Sequence, residues 1–253
     1  MITATGMTDK GLVRRTNQDQ VLVDMENNLF VMADGMGGES CGDYASYLAV
    51  TTIRSYFEAV RSGREMQWPF GYDYELGLNQ NLAATAIKLA NAVIWQTCLD
   101  NKEFAGMGTT VALVYVDGNL ATIGAVGDSR VYVYRSGTLS QLTSDDSLMA
   151  DLVRAGEITP EEAARHPSRH VITAAAGTAD SIEVHSMDMK LSDGDRLLLC
   201  TDGIHGVLDD IAIRAVLEAE SVAEAAVLSL AELANLQGAP DNMSCIVIDY
   251  TAA

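Results

Sequence analysis

The residues best suited to do chemistry in this chain are aspartates placed at the ends of apolar runs. Ala33-Asp34-Gly35, Gly127-Asp128-Ser129 and Thr201-Asp202-Gly203 each set a carboxylate beside a small residue where a strand-like segment stops. Pro240-Asp241-Asn242 is the mirror case, just before such a segment starts. A single Asp-Gly pair reads as a turn. Three aspartates behind apolar runs, with Gly37 and Gly38 crowding the first, predict sheet ends that bring several carboxylates to one place. Ionised carboxylates that meet raise one another's pKa, and a divalent cation relieves the repulsion. An all-oxygen donor set suits Mg²⁺, Mn²⁺ or Ca²⁺ rather than a thiolate or imidazole zinc site. These residues predict an acidic metal site and leave its reaction open.

The elements that must hold these residues are legible from periodicity. Strands are predicted at Val21–Val23, Leu29–Ala33, Thr110–Val116, Leu120–Val126, Arg130–Arg135, Ile182–Met187, Arg196–Cys200 and Ser244–Asp249. Asn27-Asn28 and Asp117-Gly118 are hairpin signals between neighbouring strands. Apolar residues at three-to-four spacing predict helices over Tyr44–Val60 and Leu78–Leu99. Two more helices are predicted at Asp209–Glu218 and Ser221–Leu236, with Ser221 and Glu224 in a capping-box spacing. Strands and helices do not alternate regularly, so the pattern predicts helices outside antiparallel sheets around one shared core. Residues 61–74 read as a surface connection between the first two helices.

Composition narrows the function classes. The 253 residues carry 48% hydrophobic and 20% charged side chains, a folded balance long enough for a substantial core. Without a low-complexity linker or repeat, residues 1–253 are expected to form a single domain. The net charge of -19 argues against a nucleic-acid footprint and against attraction to anionic membranes. No apolar run reaches about 18 residues, so no membrane span is expected. The N-terminus lacks a basic segment followed by an apolar one. Four cysteines without a CxxC pair read as free thiols, which predicts a cytoplasmic location.

Taken together, the motifs resemble a known family. Gly11-Leu12-Val13-Arg14-Arg15-Thr16-Asn17-Gln18-Asp19, then Ala33-Asp34-Gly35-Met36-Gly37-Gly38 and Gly106-Met107-Gly108-Thr109-Thr110, are similar to the opening motifs of the metal-dependent Ser/Thr protein phosphatase family, type 2C. Gly127-Asp128-Ser129-Arg130, Thr201-Asp202-Gly203 and Pro240-Asp241-Asn242 continue the likeness, which spans nearly the whole chain and is nearest to small bacterial members. The resemblance implies an α+β fold, a four-layer α-β-β-α sandwich of two mostly antiparallel sheets with helices outside. It implies two Mn²⁺ or Mg²⁺ ions and a third, weakly bound ion.

Residue by residue, the resemblance implies that Asp34 bridges two metals and that the Gly35 carbonyl binds one of them. It implies Asp202 and Asp241 as ligands of the other, and Asp19 as holder of a coordinated water. Asp128 matches a ligand of the third ion, and Arg14 the arginine that clamps phosphate. The implied activity is hydrolysis of phosphoserine and phosphothreonine in proteins, opposing a Ser/Thr kinase. The expected partners are phosphorylated proteins, a bacterial Ser/Thr kinase or its substrates, met by a monomer. The alternatives are a phosphatase of a partner-switch regulator and a catalytically silent phosphoprotein-binding regulator. The latter would be marked by a lost metal carboxylate, and none is lost.

The chain departs from the family pattern in places. Gln18 stands where Glu is frequent, and Met36 where eukaryotic members have a histidine proposed as general acid; Met cannot donate a proton. Glu39 follows the second glycine, where some relatives carry histidine, and reads as a solvated charge or an acid of raised pKa. Residues 145–177 match the family's flap, with Asp145-Asp146-Ser147 in place of Asp-His-Ser. The flap is expected to hold two short helices, the second capped by Thr159 with Pro160 in its first turn. His166, His170, His185 and His205 are too scattered in sequence to suggest a set.

Overall fold

Strand alternation decides the layering. In the strand Leu29–Met36, Phe30 and Met32 point into one apolar cluster, and Leu29, Val31 and Ala33 into another. Such a strand is buried on both faces and must lie inside a layered structure. The computed structural model describes residues 1–38, 41–64 and 66–252 and shows that arrangement.

The strands are β1 (Ile2–Asp9), β2 (Asp19–Asp24), β3 (Leu29–Met36), β4 (Gly108–Thr109), β5 (Val111–Asp117), β6 (Leu120–Val126), β7 (Arg130–Arg135), β8 (Thr138–Gln141), β9 (His185–Lys190), β10 (Arg196–Cys200) and β11 (Met243–Tyr250). The helices are α1 (Gly42–Arg61), α2 (Leu78–Asp100), α3 (Leu148–Arg154), α4 (Pro160–Arg165), α5 (Asp202–His205), α6 (Asp210–Ala219) and α7 (Ala223–Leu236). One sheet runs β1-β11-β10-β7-β8; the other runs β2-β3-β5-β6-β9, with β4 paired to β3. The named ladders are antiparallel.

The sheets meet through Phe30, Val114 and Ile123 on one side and Val131, Leu199 and Ile246 on the other. Helices α1 and α2 cover the outer face of the second sheet, and α6 and α7 that of the first. The result is the four-layer α-β-β-α sandwich expected from the sequence. Both hairpins form where predicted, with Asn28 and Gly118 at positive φ.

Four details differ from the sequence reading. β1 carries no alternating pattern, because its edge position leaves most of its residues half-exposed; β11, from the far end of the chain, supplies its ladder. β9 starts three residues later than Ile182, since its register is set by pairing His185 with Ala125 of β6. The helix predicted from Ser221 begins at Ala223 after Val222, and no side-chain cap bond forms there. Finally, α2 has the length and mean hydropathy of a membrane span, against expectation. Half of that stretch is buried in the fold, where Leu82, Ala86, Ala90 and Ile94 join the core beneath the helix.

Candidate metal centre

The carboxylates come together because the strands that carry them end at one side of the sandwich. Asp19 opens β2 and stands directly opposite Asp34 near the end of β3. Asp202 opens α5 immediately after β10, and Asp241 lies two residues before β11, the neighbour of β10. Asp128 follows β6 at the turn into β7, where the chain passes from one sheet to the other.

The short motifs around these aspartates have structural work to do. The Thr109 hydroxyl donates to the Asp34 carbonyl at 2.8 Å, and the Asp34 amide donates to Thr110 Oγ1 at 3.0 Å. Both threonines therefore hold the backbone that presents Asp34. Gly35 and Gly203 are required by close approach: a Cβ on either would lie 1.8 Å from a carbonyl oxygen, of Gly42 and Asn242 respectively. Asn242 accepts from the Gln18 amide at 2.9 Å and donates to the Lys10 and Thr16 carbonyls at 2.8 and 2.9 Å. One side chain thus ties the segment that bears Arg14 to the segment that bears Asp241.

A cleft of about 860 Å³ opens among these elements, lined by Arg14, Gly35, Asp34, Asp128, Asp202 and Asp241. Every residue expected at the site except Asp19 borders it. Asp19, 2% exposed, lies in the wall, where Ser244 and Thr201 hydroxyls donate to its Oδ2 at 2.6 and 3.1 Å. Arg14 Nη2 donates to Asp241 Oδ2 at 2.6 Å. Arg15 is exposed and borders the cleft as well.

The electrostatics are those of crowded, desolvated carboxylates. Burial first, then the charges of Asp202 and Asp241, raises Asp19 to about 7. Burial and the charge of Asp202 raise Asp128 to about 7. Burial and the charge of Asp241 raise Asp202 to about 6. Asp34 is pushed well above the usual range by burial, and then by Asp19, Asp202, Asp128 and Asp241. Asp19 Oδ1 and Asp202 Oδ1 are buried without a hydrogen-bond partner among the described residues.

Such orphaned carboxylate oxygens are costly unless a cation meets them, so hard divalent ions fit this donor set. Among the described residues, no three acidic, histidine or cysteine side chains close around a single point as they stand. Two of the carboxylates also have protein partners, Asp241 in Arg14 and Asp19 in Ser244.

Sequence spacing missed several neighbours of the site. His205 packs behind Asp128, its Nε2 3.0 Å from the Asp128 carbonyl; because a carbonyl only accepts, the ring donates. Burial lowers that imidazole to about 3. His185 Nε2 lies 3.0 Å from Asp146 Oδ1, while Asp146 Oδ2 accepts from the Gly127 amide at 2.9 Å. Arg169 and His170 return from the flap segment to line the cleft. The sequence did mark the Asp-Asp-Ser departure at Asp146 and the flap segment that carries Arg169 and His170. Met36 also lines the cleft, and Glu39 lies outside the described residues.

The flap segment is closed at its base. Ser147 bridges Ile172, and the Leu148 amide donates to the Val171 carbonyl at 2.9 Å. Within it, Thr159 caps α4 and Pro160 stands in its first turn, as the sequence predicts, and Glu162 completes a reciprocal capping box with Thr159. Two potential side-chain nucleophiles are disarmed. Ser129 is buried against Thr110, and burial drives the Cys200 thiol upward.

Comparison with known proteins places this geometry in context. The model of the family described as protein phosphatase 2C matches residues 13–238. The chain is 36% identical over 242 residues to the serine/threonine protein phosphatase PstP of Mycobacterium tuberculosis, covering 96% of this chain and 44% of that protein. It thus spans less than half the length of that relative. It is 32% identical over 250 residues to the protein phosphatase PhpP of Streptococcus pneumoniae, covering 96% and 95% of the two chains. The crystal structure of the M. tuberculosis serine/threonine phosphatase PstP/Ppp superposes with a TM-score of 0.87 at 32% identity, covering 99% of each chain. The catalytic domain of PstP in complex with two manganese ions superposes with a TM-score of 0.82 at 32% identity, covering 99% and 98%.

Proposed function

The chain belongs to the protein phosphatase 2C family, and from that premise we propose that it hydrolyses phosphoserine and phosphothreonine in proteins with a dinuclear metal centre. The observation that carries this reading is the crowding of buried, partly orphaned carboxylates beside an arginine in one cleft. We assign Asp34 and the Gly35 carbonyl to one ion, with Asp34 shared by a second ion that Asp202 and Asp241 hold. Asp19 is assigned to orient a coordinated water, and Asp128 to a third, weakly held ion with Asp202. The two manganese ions of the PstP catalytic domain support the dinuclear assignment.

When bound, the ions lower the pKa of a water that serves as nucleophile and neutralise phosphoryl charge. The remaining work belongs to the chain. Arg14, half-exposed at the cleft edge, offers a planar fork to two phosphoryl oxygens. Thr109 and Thr110 keep the Asp34 backbone still. Ser244 and Thr201 fix Asp19 through one oxygen and leave the other free. No protein nucleophile is needed, consistent with the burial of Ser129 and Cys200.

The physiological counterpart of this activity is a Ser/Thr kinase, whose phosphoproteins the enzyme restores as a monomer in the cytoplasm. Four free cysteines support that reducing location. Residues 145–177 act as a flap on a single domain, supported by Arg169 and His170 at the cleft.

The test is phosphate release from a phosphothreonine peptide by metal-depleted protein, before and after adding Mn²⁺. Release only with metal, abolished in Asp34→Asn, is expected. Full activity in excess chelator after verified depletion, or no release with any divalent ion, overturns the reading.

A further inference from the structure

A second cavity, of about 660 Å³, lies away from the metal cleft and shares no lining residue with it. We propose that it binds an arginine- or lysine-rich segment of a protein, as a docking site outside the catalytic centre. The inference rests on the phosphatase reading only in treating that protein as a substrate.

The frame of the cavity is residues 66–77, in the connection between α1 and α2. That connection runs from 62 to 77, beyond the roughly 12–15 residues above which connections become uncommon, and long loops are commonly functional. This one is pinned. The Asp73 amide donates to Asn81 Oδ1 at 2.9 Å, and Asn81 Nδ2 donates to the carbonyls of Asp73, Leu76 and Gly77 at 2.9, 3.3 and 3.1 Å. Asn81 is 4% exposed, so the loop is anchored from inside the fold.

The anchored loop presents a row of rings. Trp68 packs on the core under α1 and α2. Its centroid is 5.0 Å from that of Tyr72, which is 5.2 Å from that of Tyr74. Tyr74 ends the row 90% exposed, although an aromatic ring gains most from burial. A row fixed at its inner end and open at its outer end offers π-faces to a visitor.

The charges around the rings set the sign of that visitor. Asp73, Glu75 and Glu183 line the cavity against one base, Lys88. Asp73 Oδ1 accepts from the Glu75 amide, whereas the side chains of Glu75 and Glu183 have no partner among the described residues. Tyrosine faces attract cations, and carboxylates beside them add Coulombic attraction and hydrogen-bond acceptors. A guanidinium or ammonium group on a flexible stem meets both demands. The chain's net charge of -19 steers basic segments toward it.

The cavity is also linked to the flap exit. The Gly177 amide donates to Asn91 Oδ1 on α2, and Asn91 Nδ2 donates to the Ala179 carbonyl at 3.1 Å. The segment then follows α2 until Glu183 and Val184 reach the cavity. A protein docked there lies beside the chain that leaves the flap.

The experiment uses the full chain loaded with Mn²⁺ and labelled, unphosphorylated peptides that are Arg-rich, Glu-rich or neutral. Fluorescence anisotropy should show the Arg-rich peptide binding tightest, with affinity falling as salt rises. Tyr74→Ala, and Glu75→Gln combined with Glu183→Gln, should each weaken it about fivefold or more, while Tyr74→Phe keeps the ring and the affinity. On a phosphothreonine substrate with a distant basic segment, the same variants should raise KM and leave kcat unchanged. Hydrolysis of p-nitrophenyl phosphate, too small to reach the cavity, should not change. Equal binding of the three peptides, or unaltered Arg-peptide binding by the variants, overturns the proposal. Peptide binding that obeys these rules in a chain that releases no phosphate would sustain the docking site and sink the phosphatase reading.

Discussion

Arg14 and Asp241, 227 residues apart in sequence, meet in an ion pair of 2.6 Å at the edge of the metal cleft. The sequence reading assigned one to phosphate and the other to an ion. They neutralise each other, with the Arg14 guanidinium donating to one oxygen of a proposed metal ligand.

Arg14→Ala should therefore separate two effects. Metal binding should strengthen by at most about fivefold, the worth of a partly exposed pair. Catalytic efficiency on phosphopeptide should fall about a hundredfold, because a charge-stabilising donor is lost. Arg14→Lys should recover little, since a point charge lacks the fork. Calorimetric Mn²⁺ titration and steady-state kinetics on the same samples check this. Unchanged kinetics would remove Arg14 from the substrate site.

Metal-free protein should lose stability as pH rises. Folded Asp19 and Asp128 titrate at about 7 and Asp202 at about 6, against an ordinary 3.8. The folded chain therefore holds protons that the unfolded chain has released, and stability declines with rising pH between about 4 and 7. His205 acts in the opposite sense: lowered from 6.5 to about 3, it costs stability as pH falls below 6.5. The raised carboxylates outnumber it. With chelator, Tm should be lower at about pH 7.5 than at about pH 5, and saturating Mn²⁺ should erase the decline. A chelated protein that grows more stable over that interval would contradict the crowding argument.

Asp128→Ala should leave two-ion binding intact and reduce turnover. Its carboxylate lines the cleft from the turn between β6 and β7, whereas Asp202 and Asp241 flank β10 and β11. Activity of the parent should keep rising at Mn²⁺ concentrations above those that fill the two tight sites, and the variant should lose that second rise. Identical metal dependence in parent and variant would leave Asp128 as a turn residue.

Asp146→Ala should loosen the turn that presents Asp128. Its carboxylate accepts from the buried Gly127 amide, and its backbone carbonyl accepts from Thr173 at 2.8 Å. Leaving the Gly127 amide unsatisfied costs about 1–3 kcal/mol, readable by urea unfolding. Hydrogen exchange at Gly127 and Thr173 should accelerate more than in the sheets. Asp146→Asn keeps an acceptor and should show a smaller loss. Equal protection in parent and Asp146→Ala would deny the anchoring role.

The sequence by itself determined the ingredients of this protein. Asp34, Asp128, Asp202 and Asp241 were visible because each sits in a short motif whose glycine, serine or asparagine answers a local need. The long helices and the two hairpins followed from periodicity and turn chemistry, which act over a few residues. The position of β1 did not follow, because an edge strand with half-exposed faces has no alternation to read, and its partner lies at the other terminus. β9 was displaced because ladder register with β6, not local propensity, fixes where it begins. Tertiary structure alone paired Arg14 with Asp241 and Asp146 with His185, and set Asn242 between the Lys10 and Thr16 carbonyls. Those contacts join positions that no local pattern relates. They exist because the packed sheets bring distant strand ends together, where buried polar groups must find partners in whatever the fold has placed beside them.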